Sequence, residues 1–244
     1  MKNITLVRTA DYSELSVKAA RIFSSSVLSN PTGSFGFATG STPLGMYKEL
    51  CRLHSEGVVS LSELTAFNLD EYYPIEPTND QSYSFFMAQN LFDPVGLLVE
   101  QRNIPGGDSS SPKAECEQYE EKLTSKSPIE MQILGIGTNG HIGFNEPSDI
   151  FHAKTHLVKL AESTIKSNAR FFDSPESVPK MAITMGVGTI MMAKRVLLIV
   201  SGEGKAEMLR DALTGPITPL VPASALQLHR DVIVVADEAA AKYL

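Results

Sequence analysis

The sequence contains no tryptophan and only two cysteines, Cys51 and Cys116. These cysteines lie far apart and outside any Cys-x-x-Cys pattern, so the sequence favours neither a disulfide framework nor a zinc site. No stretch approaches the roughly 18 apolar residues of a membrane span, and the first residues lack the apolar segment of a signal peptide. We therefore expect a cytoplasmic protein without a membrane partner.

Positive charge is also scarce, because 21 Lys and Arg residues stand against 28 Asp and Glu residues. The resulting net charge of −7 argues against nucleic acid as a partner, and a phosphate ligand would need a few well-placed cations. The 244 residues, 43% of them hydrophobic, suffice for one large core. We predict a single domain over residues 1–244.

Short aliphatic or β-branched runs alternate with longer segments of helical periodicity, a pattern that predicts βαβ units and a largely parallel sheet. A first strand begins at about residue 3. Further strands are predicted at 33–39, 64–70, 129–137, 155–160, 195–202 and 231–237. Helices are predicted at 12–29, 43–55, 81–92, 112–125, 162–172 and 203–213.

Ligands of open parallel sheets bind at the carboxyl ends of the strands. The residues that follow the predicted strands should therefore face one crevice. These residues are 39–42, Asp70 with Glu71, 139–146 and 202–205. Because successive side chains of a strand alternate in direction, we expect one of the two adjacent acids to point into the crevice and the other to point elsewhere.

The loop LGIGTNGHIGFNEP, residues 134–147, combines an amide, an imidazole and a carboxylate with four glycines. Its Gly-x-Gly-x-x-Gly spacing matches a dinucleotide-binding pattern, but Gly143 and Pro147 interrupt the helix that such a site requires, which disfavours nicotinamide or flavin. His141 lies close to Asn139 and Glu146, either of which can orient its ring. We favour catalysis or ligand contact over a packing role for His141.

The segment TGSTP, residues 39–43, precedes a predicted helix and is typical of an anion site, where backbone amides and the Ser41 and Thr42 hydroxyls hold a phosphate. It is not a Walker loop, because Met46 and Tyr47 stand where Lys and Ser or Thr are required. The alternative is that Ser41 or Thr42 simply caps the helix.

Several charged residues have both a functional and an ordinary interpretation. Asp70 follows a strand and adjoins aromatic residues that raise a carboxyl pKa, although such acids are often caps or surface groups. Arg170 and Lys205 are candidates to complete a phosphate site, and the alternative for each is an ordinary surface cation. His152 and His156 are four residues apart, but without a nearby third ligand they do not predict a metal site.

Five segments, TGSTP, NLDEY, GIGTNGHIGFNEP, NARFFD and SGEGKA, occur in this order along nearly the whole chain. Together they closely resemble the glucosamine-6-phosphate deaminases, and NGHIGFNEP is the most specific segment. The resemblance implies a three-layer α/β/α, Rossmann-like fold with helices on both faces of a largely parallel sheet. It also implies conversion of glucosamine 6-phosphate and water to fructose 6-phosphate and ammonia in amino-sugar catabolism, without a cofactor or a metal.

Carried over residue by residue, the resemblance implies that Asp70 is the enolisation base and that His141, supported by Asn139 and Glu146, opens the sugar ring. It implies a lid over the substrate at about residues 162–180. It places the sugar phosphate on five residues, Gly40, Ser41, Thr42, Arg170 and Lys205.

Two departures from the family pattern modify these expectations. Some members carry Asp at the position of Asn139, and because an amide adds no charge beside His141, Glu146 must supply most of the electrostatic support. Longer, hexameric members are activated by N-acetylglucosamine 6-phosphate through Arg and Lys, where this chain has His156 and Val158. We therefore expect no such activation, and a monomer or small homo-oligomer.

Two other functions remain as alternatives. A 6-phosphogluconolactonase would share the fold and the phosphate loop, but HIGFNEP argues against it. A sugar-phosphate effector domain of a transcriptional regulator would need no catalysis, and the presence of both Asp70 and His141 is then unexplained.

Overall fold

The structure, a computed structural model, describes residues 3–172 and 174–244. The strands in chain order are β1 (Ile4–Thr9), β2 (Ser34–Phe37), β3 (Thr65–Asn68), β4 (Asp70–Tyr73), β5 (Arg102–Asn103), β6 (Ile129–Leu134), β7 (His156–Lys159), β8 (Met181–Thr184), β9 (Val196–Val200) and β10 (Val232–Asp237). The α-helices are α1 (Tyr12–Ser29), α2 (Leu44–Ser55), α3 (Tyr83–Met87), α4 (Pro112–Ser125), α5 (Glu162–Asn168), α6 (Val187–Met191) and α7 (Ala206–Thr214).

The main sheet of the described residues has seven strands in the order β1-β10-β9-β6-β2-β3-β5. All its strand pairs are parallel. Its central strands are continuous apolar runs, and every residue of β9, with the sequence VLLIV, is buried. Such runs are typical of parallel strands that are covered on both faces. The predicted α/β, Rossmann-like fold with a mostly parallel sheet is therefore confirmed.

The predicted helices are present, and two of them have the predicted bounds. Helix α1 begins where Asp11 accepts a hydrogen bond from the backbone N–H of Glu14 at 2.8 Å, while the Glu14 carboxylate accepts from the N–H of Ala10 at 2.9 Å. Asp11 thus satisfies one donor of the first helical turn, and Glu14 connects the preceding residue Ala10 to the helix. Three other predicted segments change helix type, with a π-helical turn at Ala88–Phe92 and 3₁₀ turns at Ala169–Phe171 and Glu203–Lys205.

The predicted strand at 155–160 exists but does not belong to the main sheet, so this part of the prediction was wrong. Strand β7 lies in a second sheet of three strands in the order β4-β8-β7, all antiparallel, within the described residues. Its residues are only partly buried, as expected at the edge of a small sheet. The periodicity of a short strand indicates its faces but not the sheet that it joins.

The chain passes from the main sheet to the second sheet at Asp70. Strand β3 ends at Asn68, and β4 begins at Asp70 after the single residue Leu69. A small second core lies under this junction and is formed by Tyr72, Ile75, Phe144, Leu160 and Ala182. Partly buried side chains of the predicted lid, Ile165 and Phe172, pack against it.

Within the described part of the chain, no helix has the length and apolar character needed to cross a membrane.

Candidate active site

A cavity of about 210 Å³ opens where β2, β3 and β6 end. Strands β2 and β6 are neighbours in the sheet. After β2 the chain adds β3 on one side of this pair, and after β6 it adds β9 on the opposite side. The cavity therefore lies at a topological switch point, where open α/β sheets bind their ligands. It is lined by residues 38–43 and 135–138 and by Leu69, Asp70, Tyr83, His141, Gly143, Phe144, Thr164, Ser167, Asn168, Arg170 and Lys205.

The cavity brings together most of the residues that the sequence singled out. Seven of them line it, namely Gly40, Ser41, Thr42, Asp70, His141, Arg170 and Lys205. The other two, Asn139 and Glu146, lie one layer further out, in contact with His141. The predicted shared crevice is thus present, although its members are far apart in the sequence.

The loop at residues 39–43 forms one end of the cavity. Gly40 has a φ of +100°, a conformation that residues with a Cβ rarely adopt. The hydroxyl of Tyr12 accepts a hydrogen bond from the N–H of Gly45 at 2.8 Å and lies 3.1 Å from the carbonyl oxygen of Ser41. Tyr12, which the sequence analysis did not identify, therefore fixes the path of the loop into helix α2.

Neither hydroxyl of this loop caps α2. The residue at the N-cap position is Pro43, and no side chain makes a capping hydrogen bond there. The interpretation of Ser41 or Thr42 as a plain N-cap was therefore wrong. The Ser41 hydroxyl instead accepts a hydrogen bond from Nη2 of Arg170 at 3.3 Å.

Arg170 and Lys205 converge on this loop from two different parts of the chain. Burial and the nearby charge of Arg170 lower the pKa of Lys205. The turn that carries Lys205 is fixed by Asp237, which accepts hydrogen bonds from the N–H of Gly202 at 3.0 Å and from the Ser201 hydroxyl at 2.5 Å. Two cations beside a helix N-terminus form a site that suits a phosphate dianion.

Asp237 was missed by the sequence analysis. It is the last residue of β10, at the end of the predicted strand DVIVVAD. Its position at a strand end was the signal that could have identified it.

Asp70 also lines the cavity. Its side chain is buried, and burial together with the negative charge of Glu71 raises the pKa of Asp70 well above the ordinary carboxyl value, against a smaller lowering by the N–H of Phe144. Gly143 passes close to this carboxylate with a φ of +58°. A Cβ on Gly143 would lie 3.0 Å from Oγ1 of Thr184 and 3.3 Å from Oδ2 of Asp70. The glycine thus allows the loop to approach the carboxylate closely.

Glu71 does not line the cavity. Its carboxylate accepts hydrogen bonds at 2.9 Å from the N–H groups of Tyr72, Tyr83 and Ser84, two of which open helix α3. Burial raises the pKa of Glu71 to about 7, although these three N–H donors act in the opposite direction. The expectation that one of the two adjacent acids faces the crevice while its neighbour points elsewhere is confirmed.

His141 is held by Glu146. Nδ1 of His141 lies 3.4 Å from Oε2 of Glu146, longer than a good hydrogen bond, as is common for catalytic pairs without substrate. Burial alone would raise the pKa of Glu146. Hydrogen bonds and charge from His141, Thr164 and Asn139 outweigh burial, so the pKa is lowered and the carboxylate stays ionised beside the imidazole.

Asn139 acts on the carboxylate and on the backbone rather than on the imidazole ring. Its Nδ2 donates to Oε2 of Glu146 at 2.7 Å, and its Oδ1 accepts from the backbone N–H of His141 at 3.3 Å. Of the two groups that could orient the ring of His141, Glu146 is therefore the one in position to do so.

Glu146 also reaches the start of the predicted lid. Its Oε1 accepts hydrogen bonds from the N–H of Ala161 at 3.2 Å and from the hydroxyl of Thr164 at 2.5 Å. Further along α5, Nδ2 of Asn168 donates to the Tyr72 hydroxyl at 2.8 Å. The predicted lid at 162–180 includes Asp173, which lies outside the described residues.

Aromatic rings form the cavity wall near Asp70, and among them Tyr83 was not identified by the sequence analysis. Tyr83 lines the cavity and stacks on Phe144 with ring centroids 5.8 Å apart and an interplanar angle of 14°. Tyr72 packs against both rings, and burial raises its pKa to about 12, so its phenol stays protonated at neutral pH. Tyr72 and Tyr83 both lie close enough to Asp70 to interact with its charge.

Two patterns that the sequence analysis set aside have structural explanations. After Gly140 the chain continues in turns rather than in the helix that a dinucleotide site needs. The rings of His152 and His156 stack with centroids 4.0 Å apart. Among the described residues, no group of three His, Cys, Asp or Glu side chains is placed to hold a metal ion.

Comparison with known proteins agrees with the resemblance that the sequence motifs indicate. Residues 12–235 match the family model of glucosamine-6-phosphate isomerases and 6-phosphogluconolactonase. The chain is 49% identical over 234 residues to a glucosamine-6-phosphate deaminase of Alkaliphilus oremlandii, covering 96% of this chain and 97% of the relative. It is 47% identical over 234 residues to the deaminase of Clostridioides difficile, covering 96% and 94%.

Solved structures show the same relationship. A monomeric glucosamine-6-phosphate deaminase superposes with a TM-score of 0.96 at 43% identity, covering 98% of this chain and 100% of that one. A 6-phosphogluconolactonase from Trypanosoma brucei superposes with a TM-score of 0.76 at 19% identity, covering 98% of each chain. The second similarity concerns the fold alone.

Proposed function

The chain belongs to the family of glucosamine-6-phosphate isomerases and 6-phosphogluconolactonases, and from this premise we propose that it is a glucosamine-6-phosphate deaminase. The reaction converts glucosamine 6-phosphate and water to fructose 6-phosphate and ammonia, a hydrolytic deamination coupled to an aldose-ketose isomerisation. Relatives of nearly the same length that carry this name are 47–49% identical to the chain. We place the reaction in the cytoplasm, because sugar phosphates do not cross membranes unaided.

One observation carries the proposal: two groups suited to acid–base catalysis, Asp70 and His141, line the same cavity as a group of residues suited to bind phosphate. Asp70 is a buried carboxyl of raised pKa, whereas His141 stands beside an ionised carboxylate, Glu146. Isomerisation of a sugar needs one group to move protons at the ring oxygen and another at carbon. The cations Arg170 and Lys205 with the loop at 39–43 provide a site for the 6-phosphate.

Ring opening is the first step. His141 transfers a proton between the anomeric hydroxyl and the ring oxygen, which gives the open-chain aldehyde with its amine at C2. The ionised Glu146 holds the imidazole through Nδ1, leaving Nε2 for the substrate. Asn139 and Thr164 donate hydrogen bonds to Glu146 and thereby fix its position.

Isomerisation follows at Asp70. The carboxylate removes the proton from C2 and returns it at C1, while the nitrogen loses one proton and O1 gains one. The aldehyde group thereby becomes CH2OH and the C2 amine becomes an imine, with no net change in protons. Water then adds to the imine carbon, and ammonia leaves as the ketone of fructose 6-phosphate forms. A raised pKa makes Asp70 a stronger base than an ordinary carboxylate.

The single domain over residues 1–244, the lid at 162–180 and a monomer or small homo-oligomer are parts of the same proposal. The hydrogen bonds of Glu146 and Tyr72 to Ala161, Thr164 and Asn168 support the lid, because they connect this segment to the cavity. The similarity to a monomeric deaminase supports the small assembly.

The test is the reaction of purified protein with glucosamine 6-phosphate, with ammonia and fructose 6-phosphate both quantified. We expect the two products in equal amounts. We also expect 6-phosphogluconolactone to be hydrolysed no faster than glucosamine 6-phosphate is deaminated. Hydrolysis of the lactone without release of ammonia from the amino sugar would assign the chain to the other activity of its family. Binding of both compounds without turnover of either would favour the effector domain.

A further inference from the structure

Glu71 is a buried carboxylate directly behind the proposed base, and the mechanism above gives it no part. The side chain of Glu71 is 2% exposed and that of Asp70 is 5% exposed. The two residues are consecutive on β4, so their side chains point to opposite sides of the second sheet. Because burial raises the pKa of Glu71 to about 7, Glu71 is mostly ionised above that pH, where its charge lies behind Asp70 with only the backbone of the strand between them.

The partners of Glu71 stabilise its charge without cancelling it. All three are backbone N–H groups, from Tyr72 and from the first two residues of α3, rather than a Lys, Arg or His side chain. Peptide dipoles at a helix N-terminus favour a carboxylate, but they carry no net charge. The field of Glu71 therefore reaches Asp70, where it adds to the effect of burial.

The cavity thus contains groups of opposite charge. Arg170 and Lys205 line it together with Asp70, which has Glu71 behind it. A cationic amine bound next to Asp70 offsets the repulsion between the two carboxylates, whereas a neutral hydroxyl in the same place does not reduce this repulsion. Complementary charge of this kind selects among ligands of the same shape.

We propose that Glu71 is a specificity-determining residue, whose buried charge behind Asp70 makes the cavity prefer a sugar phosphate with a cationic amine at C2 over one with a hydroxyl there. Glu71 does not touch the substrate; its electrostatic field adds to that of Asp70 at the position of the C2 substituent. The inference rests on the proposed function, which places C2 of the substrate at Asp70.

Two unreactive probes distinguish an effect of the charge at C2 from an effect of the shape of the ligand. They are 2-amino-2-deoxyglucitol 6-phosphate and glucitol 6-phosphate, which are open-chain, share the phosphate and differ only at C2. The measured quantity is the ratio of their inhibition or dissociation constants, for the wild type and for Glu71→Gln. Gln keeps the shape and can accept two of the three backbone hydrogen bonds, but it carries no charge.

The matched control is Ser82→Ala. The Ser82 side chain accepts the N–H of Phe85 at 3.0 Å, so this variant loosens the same end of α3 without changing any charge. A purely structural role for Glu71 would weaken both probes together in the two variants. The proposal predicts that Glu71→Gln reduces the preference for the amine about tenfold, the order expected for one charge at a buried site, while Ser82→Ala leaves it unchanged.

An unchanged preference in a folded Glu71→Gln protein would overturn the inference. A second variant, Asp70→Asn, tests it even where Glu71→Gln does not fold, because the charge of Glu71 remains. We then expect a reduced but persistent preference for the amine, and its complete loss would show that Glu71 contributes nothing.

Turnover by the wild type separates the two proposals. If glucosamine 6-phosphate releases ammonia but the probe ratio is insensitive to Glu71, only the inference about Glu71 fails. If the wild type neither turns over glucosamine 6-phosphate nor binds the amine probe, the proposed function fails, and the inference fails with it.

Discussion

At the scale of single residues, two carboxylates of the site acquire opposite properties from their surroundings. Asp70 is buried beside another carboxylate, which raises its pKa, whereas Glu146 accepts hydrogen bonds beside an imidazole, which lower its pKa. The first arrangement suits a base that must take a proton from carbon, and the second suits a permanent anion that orients His141. Environment rather than residue type thus assigns the two roles.

The pH dependence of kcat/KM follows from the raised pKa of Asp70. Because Asp70 acts as an anion, activity is lost as the pH falls through its pKa. The raised value moves this loss to a pH well above the ~4 of an ordinary carboxyl. We expect the acidic limb of the kcat/KM profile in this higher region. Full activity retained down to pH ~4.5, with the protein still folded by circular dichroism, would contradict the assignment.

The residues proposed to carry chemistry are easier to recognise in the sequence than the residues that hold them in place. Asp70 and His141 stand out because each follows a predicted strand within an unusual local composition. Tyr12 and Asp237 are remote from the loops that they fix, and only the folded chain shows that Tyr12 contacts Gly45 or that Asp237 contacts Gly202. Tyr12 carries no local signal in the sequence, and the strand-end position of Asp237 does not reveal which loop it contacts.

At the scale of secondary structure, the second sheet determines where Asp70 lies. The sequence predicted six of the seven strands of the main sheet from their apolar runs and missed the two-residue β5. Strand β4 has the sequence DEYY and carries no such signal either. Strand β4 pairs with β8, and Asp70 lies opposite Thr184, whose hydroxyl accepts the N–H of Phe144 at 3.0 Å. The second sheet therefore brings the base and the histidine loop together.

A substitution at Gly143 tests the close approach of the histidine loop to Asp70. Gly143→Ala adds a Cβ close to Thr184 and Asp70 and at a positive φ, so we expect roughly 2 kcal/mol of destabilisation and a large loss of kcat. Gly57→Ala is the matched control, because Gly57 has a φ of +72° but no atom within 4 Å of the added Cβ. Its cost should be limited to about 1–2 kcal/mol of backbone strain, with kcat unchanged. The measurements are kcat and the thermal unfolding of both variants. Equal kcat values in the two variants would contradict the proposed close contact of Gly143 with Asp70 and Thr184.

At the scale of the whole molecule, the fold provides a position for the site but not the chemistry. A 6-phosphogluconolactonase shares the fold at 19% identity with a TM-score of 0.76. The deaminase assignment therefore depends on the loop at 134–147 and on Asp70, in agreement with the general rule that one fold supports several reactions. The same comparison explains why composition and periodicity predicted the fold, whereas the function required specific residues.

Regulation is a property of the whole molecule. His156 and Val158 occupy the positions where activated members of the family carry Arg and Lys, so the cations that bind the activating phosphate are missing from these positions. We expect hyperbolic dependence of the initial rate on glucosamine 6-phosphate, with no acceleration by N-acetylglucosamine 6-phosphate. A sigmoidal curve that the acetylated compound makes hyperbolic would contradict this expectation.

The most direct test of the central claim is the turnover number of Asp70→Asn with glucosamine 6-phosphate, measured as ammonia released per enzyme. Proton transfer by a placed side chain contributes on the order of 10²- to 10⁴-fold, so we expect a fall within or beyond this range, while 2-amino-2-deoxyglucitol 6-phosphate still binds. Asp93→Asn is the control, because Asp93 is exposed and pairs with Arg102. A turnover number within tenfold of the wild type would show that Asp70 is not the base and would contradict the mechanism.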